Sequence, residues 1–322
     1  MQSNDKGIRK FRTETKSHKI ISQSVFFGRD NINFVQIIIL SYINVMNNNP
    51  TISVLMPMHN ASAYLSEAIE SVLCQTFCDF ELIVVDDGST DNSVEIAKSY
   101  NDSRIRIIQN TRDFISSLNK GVDAATGRYI ARMDADDIML PHRLKTQFEF
   151  LEKNIGVDIC GSWAECFGFD DRVMQTITQH HKIISSLLLG NSMIHPSMML
   201  RSSVFKQQYY PEGYPCAEDY KLWTILAHNG FTFANIPEVL LRYRRSVNQV
   251  TQKYSDTMRK SDSRIKFEYV QLVMEQISQK KEPYLNFFNQ LVDLKNNGLI
   301  SASGLFHTVY HTYTHFLKNT DE

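Results

Sequence analysis

The run Met133-Asp134-Ala135-Asp136-Asp137 puts three carboxylates into four residues. It follows Gly127-Arg128-Tyr129-Ile130-Ala131, which reads as a short buried strand. Asp134 and Asp136 are two residues apart, so an extended backbone points both to one face. Charges this close repel, and burying them unpaired would force one to take up a proton. A divalent cation removes that cost. A site with few protein oxygens suits Mg²⁺ or Mn²⁺, with substrate phosphates completing the shell. Taken alone, the run is equally an acidic turn leading into the helix expected from Pro141. Asp137 is expected to open that helix rather than touch a metal.

The elements around the run have a regular order. Ile52 to Met58 is a near-continuous apolar stretch, as in a strand covered on both faces. Leu65, Ala68, Ile69, Val72 and Leu73 recur at helical spacing within Tyr64 to Leu73. Strands follow at Phe80 to Val85 and Arg104 to Ile108, and helices at Val94 to Tyr100 and Phe114 to Ala125, the latter closed by Gly127. A helix from Pro141 to Lys153 has Pro in its first turn. This alternation predicts an α/β fold with a mainly parallel, doubly wound sheet. In the second half, Asp158 to Phe169 reads as strand and turn, and Ile183 to Leu189 as a short helix. His195 to Leu200 is strand-like, and Glu218 to His228 is a helix ended by Asn229-Gly230. Phe231 to Ile236 and Val239 to Tyr243 read as two short strands. After Ser246 the chain is helical and polar.

In an open parallel sheet, ligands bind beyond the carboxyl ends of the strands. Here those ends carry His59 and Asn60, Asp86 and Asp87, and Asp134 and Asp136. No GxGxxG follows the first strand and no GxxxxGK[ST] occurs, so phosphates would have to be held through a metal. The 322 residues are 43% hydrophobic and 21% charged, ordinary for a globular chain with a large core. A net charge of -1 gives no electrostatic case for nucleic acid. The odd number of cysteines, 5, without paired CxxC spacing, argues against a disulfide framework or a zinc site and for a reducing compartment. Cys74 and Cys78 are expected to pack near a helix end. The stretch Phe34 to Val45 is shorter than the roughly 18 apolar residues needed to span a bilayer. Met46, just before the first strong strand, is the expected native start, with residues 1–45 an extension.

At this point the residues resemble a known family. Ser53-Val54-Leu55-Met56-Pro57-Met58-His59-Asn60, Ser71-Val72-Leu73-Cys74-Gln75-Thr76-Phe77 and Glu81-Leu82-Ile83-Val84-Val85-Asp86-Asp87-Gly88-Ser89-Thr90-Asp91 look like the opening of family 2 glycosyltransferases. Ala131-Arg132-Met133-Asp134-Ala135-Asp136-Asp137 looks like their DxD metal motif, and Ala217-Glu218-Asp219-Tyr220-Lys221-Leu222-Trp223 like their ED motif. The likeness covers residues 51–245. It implies a GT-A fold over 46–245, followed by a helical region over 246–322. It also implies inverting sugar transfer from a nucleotide-sugar, UDP-linked in the usual case, to a saccharide or lipid-linked saccharide in bacterial surface-glycan assembly. Asp87 would bind the base, and Pro57 and Asn60 would line its pocket. Asp136 would ligate Mn²⁺ or Mg²⁺, with Asp134 beside the ribose or metal. Asp219 would be the general base, with Glu218 beside the donor. The setting implied is cytoplasmic, with peripheral contact at the inner face of the plasma membrane.

The chemistry agrees with these roles. Sugar transfer breaks an anomeric C–O bond through an oxocarbenium-like state. The leaving diphosphate needs neutralisation and the acceptor hydroxyl needs a base. By sequence order alone, Glu218-Asp219 reads as favourable placement of acids at a helix N-terminus; with the other motifs present, catalysis is the favoured reading. His195 is a third metal ligand, a diphosphate contact, or a residue fixing the turn before Pro196. Arg242, Arg244 and Arg245 either stabilise the diphosphate or form a solvated basic edge. His307, His311 and His315 form a stripe expected to be the polar side of an amphipathic helix. Its apolar side, Phe306, Val309, Tyr310, Tyr313 and Leu317, is expected to pack on the catalytic domain. Asn110 to Ser116 lacks the glycine common in relatives, so Arg112 and Asp113 bear on nucleotide contacts. The absence of QxxRW points to one sugar added per encounter. A nucleotidyltransferase would want a Gly-rich basic loop after the first strand, where Met58-His59-Asn60-Ala61-Ser62 stands. A non-catalytic nucleotide- or glycan-binding subunit would lack a motif acid, yet Asp87, Asp136 and Asp219 are all present.

Overall fold

The computed structural model describes residues 49–245, 255–280 and 282–318. The extension over 1–45, the expected start at Met46 and the joint at 246 lie outside the described residues.

The first half follows the predicted alternation. Strands β1 (Ile52–Met58), β2 (Phe80–Asp87), β3 (Ile105–Asn110) and β4 (Tyr129–Arg132) alternate with helices α1 (Leu65–Leu73), α2 (Ser93–Ser99) and α3 (Phe114–Ala124). A two-residue strand β5 (Ile138–Met139) precedes α4 (Arg143–Lys153). Then come β6 (Ile159–Gly168), β7 (Val173–Met174), α5 (His180–Ser186), a 3₁₀ turn (His195–Ser197), β8 (Met199–Arg201), the single turn α6 (Ser202–Phe205), α7 (Glu218–His228) and β9 (Phe233–Arg245). Three helices close the described chain: α8 (Ser255–Lys280), α9 (Glu282–Asn296) and α10 (Ala302–Lys318).

The strands form one mixed sheet in the order β3-β2-β1-β4-β8-β6-β9-β5, with β7 beside β6. β3, β2, β1 and β4 are mutually parallel, so their carboxyl ends share one edge. β8 is antiparallel to both β4 and β6, while β9 is parallel to β6. Alternate residues of the central strands feed different cores. Ile52, Val54, Met56 and Met58 join Leu82 and Val84 under α1 and α4. Leu55 joins Ile83 and Val85 under α3 and α7. Period-2 alternation with both faces covered explains why β1 reads as an unbroken apolar run.

Several expectations change. His195 to Leu200 is a 3₁₀ turn followed by β8. The two strands expected over 231–243 are one strand, β9. Its register against β6 slips between Ser162↔Ile236 and Trp163↔Val239, which leaves Pro237 and Glu238 as a bulge. Proline has no N–H to lose there, so the strand passes through. Gly127 does not cap α3, which ends at Ala124. A Cβ on Gly127 would stand 2.5 Å from Ser53 N, so glycine is required where the chain crosses β1. Cys74 and Cys78 are exposed rather than packed.

The C-terminal helices share the α3/α7 core. Ile265, Tyr269 and Val273 of α8, Phe288 of α9, and Val309 and Tyr313 of α10 are buried in it. Phe306, Tyr310 and Leu317 pack against it, as the amphipathic pattern predicts, and His307 and His311 face outward. Among the described residues no helix is long and apolar enough to cross a membrane.

Candidate active site

The parallel β1, β2 and β4 bring their acidic ends to one edge of the sheet. Asp134, Asp136 and Asp137 form the one group of three metal-capable side chains among the described residues, with ligand atoms within 4.8 Å of one another. Asp137 does not open the following helix. It lies ahead of β5, and its carboxylate faces the cluster. Its Oδ1 accepts from Arg244 N at 2.8 Å, while the buried Oδ2 has no hydrogen-bond partner. Burial, then Asp134, pushes Asp136 up to about 6. The same causes, with Asp136, raise Asp137 well above the usual carboxylate range. A buried carboxylate oxygen without a partner, in a set of hard oxygen donors that repel each other, fits a divalent cation.

Contrast Glu81, at the opposite ends of the strands. It accepts from Ser53 Oγ (2.7 Å), Thr126 N (2.8 Å), Thr126 Oγ1 (2.7 Å) and Arg106 Nη1 (2.6 Å). Burial alone would raise its pKa, but these hydrogen bonds bring it below the usual value. A buried acid that serves the fold is saturated with donors; the Asp134 cluster is not.

Arginines frame the cluster. Arg132, which ends β4, is 3% exposed and forms an ion pair with Asp134. Arg143 donates from Nη2 to the Arg132 carbonyl at 2.8 Å and from Nε to Gln147 Oε1 at 2.9 Å, which secures the end of β4. Arg244 donates from Nε to the Asp136 carbonyl at 2.7 Å, pairs with Glu67 and stacks over Tyr64 and Phe167. Arg242 pairs with Glu165 at 3.1 Å. Tyr243 sits between them, its phenol pushed up by burial and then by Asp134, Asp137 and Asp136.

A second group occupies the ends of β1 and β2. Asp87 is buried, and its Oδ1 accepts from Asp113 N (2.7 Å) and Ser117 Oγ (2.8 Å) at the start of α3. Asp113 caps that helix through Ser116 N at 3.0 Å. Thus the N-cap residue of α3 is bonded directly to Asp87 through its backbone N–H. His59 Nδ1 donates to the Asp87 carbonyl at 2.9 Å, so its Nε2 accepts from Asn60 Nδ2 at 3.3 Å. Asn60 is left-handed (φ 49) and its Oδ1 accepts from Thr90 N at 2.8 Å, which ties the β1 and β2 loops together. Pro57 is buried in β1 opposite Val85.

The third group opens α7. Glu218 is buried and half-buried Asp219 follows it. Asp219 Oδ2 accepts from Asn191 Nδ2 at 2.8 Å, and Oδ1 from Tyr220 N at 2.7 Å. Burial, then Asp219, lifts Glu218 to about 7, and burial raises Asp219. Arg132 and Asp134 act electrostatically on both, so this pair lies within electrostatic reach of the carboxylate cluster.

His195 does not join the three-carboxylate group. Its Nε2 shares a 2.8 Å hydrogen bond with Tyr210 hydroxyl, and its ring meets Trp223 edge-on. Burial, then Arg132, holds it well below the usual imidazole range, hence neutral. Sequence reasoning missed Arg132, Asn191, Tyr210 and Tyr243. For Arg132 a signal existed: two residues before Asp134, it shares that residue's face of an extended chain.

Residues 53–208 match glycosyl transferase family 2. An uncharacterized glycosyltransferase of Haemophilus influenzae is 34% identical over 251 residues, covering 72% of this chain and 77% of that protein. The O-antigen biosynthesis glycosyltransferase WbnJ of Escherichia coli is 33% identical over 213 residues, covering 63% and 82%. Glucosyl-3-phosphoglycerate synthase from Mycobacterium tuberculosis, solved with Mn²⁺, uridine diphosphate and glucosyl-3-phosphoglycerate, superposes with a TM-score of 0.51 at 18% identity, covering 69% of this chain and 81% of that one. That likeness carries the GT-A fold.

Proposed function

The chain belongs to glycosyl transferase family 2, and on that premise we propose a metal-dependent, inverting transfer of a hexosyl or N-acetylhexosaminyl group. The donor is a UDP-sugar, and the acceptor a saccharide or lipid-linked saccharide of bacterial surface-glycan assembly. The observation that carries this reading is the pairing of the Asp134–Asp136–Asp137 cluster with Glu218 and Asp219 in one electrostatically connected site. The O-antigen role named for WbnJ supports the setting. The Mn²⁺ and uridine diphosphate bound by the mycobacterial synthase support the cofactor and base.

Asp134, Asp136 and Asp137 would hold Mn²⁺ or Mg²⁺. The cation supplies Lewis-acid neutralisation of the departing diphosphate. Asp87 orients the base; its Oδ1 already serves α3, so this contact falls to Oδ2. Pro57 and Asn60 shape the same pocket. Asp219 takes the proton of the acceptor hydroxyl as that oxygen bonds to the anomeric carbon, and the electron pair of the breaking C–O bond leaves with the nucleoside diphosphate. Asn191 donates to the carboxylate form and so favours the ionised base. Glu218, lifted to about 7 by burial and then by Asp219, would hold a donor hydroxyl while adding less negative charge beside the diphosphate than an ordinary carboxylate. His195 would hold Tyr210 in place through their hydrogen bond.

The test is release of UDP from UDP-sugars in Mn²⁺ with a saccharide acceptor, together with the anomeric configuration of the product. Acceptor-dependent UDP release with inverted configuration is expected. Retained configuration would overturn the roles given to Asp219.

A further inference from the structure

Arg132 is 3% exposed at the end of β4, yet its Nε has no hydrogen-bond partner. Its Nη1 lies against Asp134 as an ion pair rather than an aligned hydrogen bond. Leaving a charged donor unsatisfied in a buried position is costly, and proteins tolerate it mainly where something else completes the set. The backbone here is not free to move away. Arg132 N donates to the Met198 carbonyl at 2.9 Å, and the Arg132 carbonyl accepts from Arg143 at 2.8 Å. The Arg132 backbone is therefore held in place, while part of the guanidinium fork is unused.

Its position says what class of group would use it. Arg132 pairs with Asp134 of the carboxylate cluster and also acts electrostatically on Glu218 and Asp219. In a sugar transfer the bond that breaks joins the distal phosphate of the donor to the anomeric carbon, which the acceptor hydroxyl would approach from the Asp219 side. The cluster brings three carboxylates against one divalent cation. A further positive charge is needed before a diphosphate can settle there. A planar guanidinium with a free N–H suits a phosphate oxygen better than a point charge does.

We propose that Arg132 binds the distal phosphate of the nucleoside diphosphate, exchanging its ion pair with Asp134 for the phosphate once the cation takes Asp134. This rests on the nucleotide-sugar reading above and adds to it a specific donor for the phosphate farthest from the base.

The experiment is calorimetric titration of wild type and Arg132→Lys with UDP and with UMP in Mn²⁺. Lysine keeps a charge facing Asp134 but removes Nε and the fork. Wild type is expected to prefer UDP over UMP, and Arg132→Lys to lose about ten- to a hundredfold of UDP affinity with UMP affinity unchanged. An unchanged UDP-over-UMP ratio overturns the inference and leaves the parent reading standing. It would mean that Arg132 only neutralises Asp134 or touches the sugar. Failure of wild type to bind UDP, GDP or dTDP in Mn²⁺ overturns both. If Arg132→Lys does not fold, a crystal structure of wild type with UDP and Mn²⁺ decides. A phosphate oxygen within hydrogen-bond distance of Nε or Nη1 supports the inference, and a guanidinium left against Asp134 alone overturns it.

Discussion

Asn191 Nδ2 donates to Asp219 Oδ2 at 2.8 Å, so a loop after α5 holds the carboxylate proposed as base at the start of α7. Asp219→Asn is expected to lower kcat by about 10²- to 10⁴-fold while leaving UDP affinity close to wild type. Asn191→Ala removes a donor that favours the ionised form, so the Asp219 pKa rises. The acidic limb of its kcat/KM profile therefore moves to higher pH. A steady-state pH series on both variants checks this; an unmoved limb would count against Asn191 as a positioning residue.

Asp136, raised to about 6 by burial and then by Asp134, must lose a proton before it ligates a cation. Apparent Mn²⁺ affinity is expected to fall as pH drops below about 6, with proton release on binding detectable as a buffer-dependent heat. Asp136→Ala should weaken Mn²⁺-dependent UDP binding by about a hundredfold or more. Calorimetry with Mn²⁺ and with chelator measures both.

Glu218 titrates near 7 in the folded chain, against 4.5 as its ordinary value. Between those values the unfolded chain has released the proton and the folded chain still holds it. This group therefore lowers stability as pH rises through that window. In Glu218→Gln the contribution disappears. The thermal midpoint of the variant should decline less than that of wild type between pH 4.5 and 7, read by scanning calorimetry without ligand.

Glu81 behaves oppositely. Its folded pKa lies below 4.5, so its contribution is present above that value and is lost as pH falls through the folded pKa. Glu81→Ala removes the acceptor for Ser53, Thr126 and Arg106. It is expected to cost about 3 kcal/mol, measured by urea unfolding at neutral pH. Glu81 lies at the amino ends of the strands, so kcat should hold in the folded fraction.

The motif residues were legible because they are local. Ile52 to Met58, Phe80 to Asp87 and Tyr129 to Arg132 each carry strand pattern and polar terminus within one short stretch. Parallel order then puts the termini together. The mutual repulsion of Asp134, Asp136 and Asp137 could be anticipated from their spacing, but the burial that chiefly raises Asp136 and Asp137 could not.

Contacts between distant segments were not legible. The sequence places Asp137 at the opening of the helix expected from Pro141, yet its pairing with Arg244 across 107 positions draws it into the cluster. Asn191 meets Asp219 across 28 positions, and His195 meets Tyr210 across 15. No periodicity encodes such pairs, because side-chain spacing constrains a chain only within one element. The antiparallel placement of β8 beside β4 brings in Met198, which anchors the Arg132 backbone. By itself, then, the sequence determined the fold family, the parallel half-sheet and the acids at its edge, since local pattern and motif order carry them. Tertiary structure alone decided which acids are starved of partners and which arginine stands among them, because burial and long-range pairing set the energy of a charge.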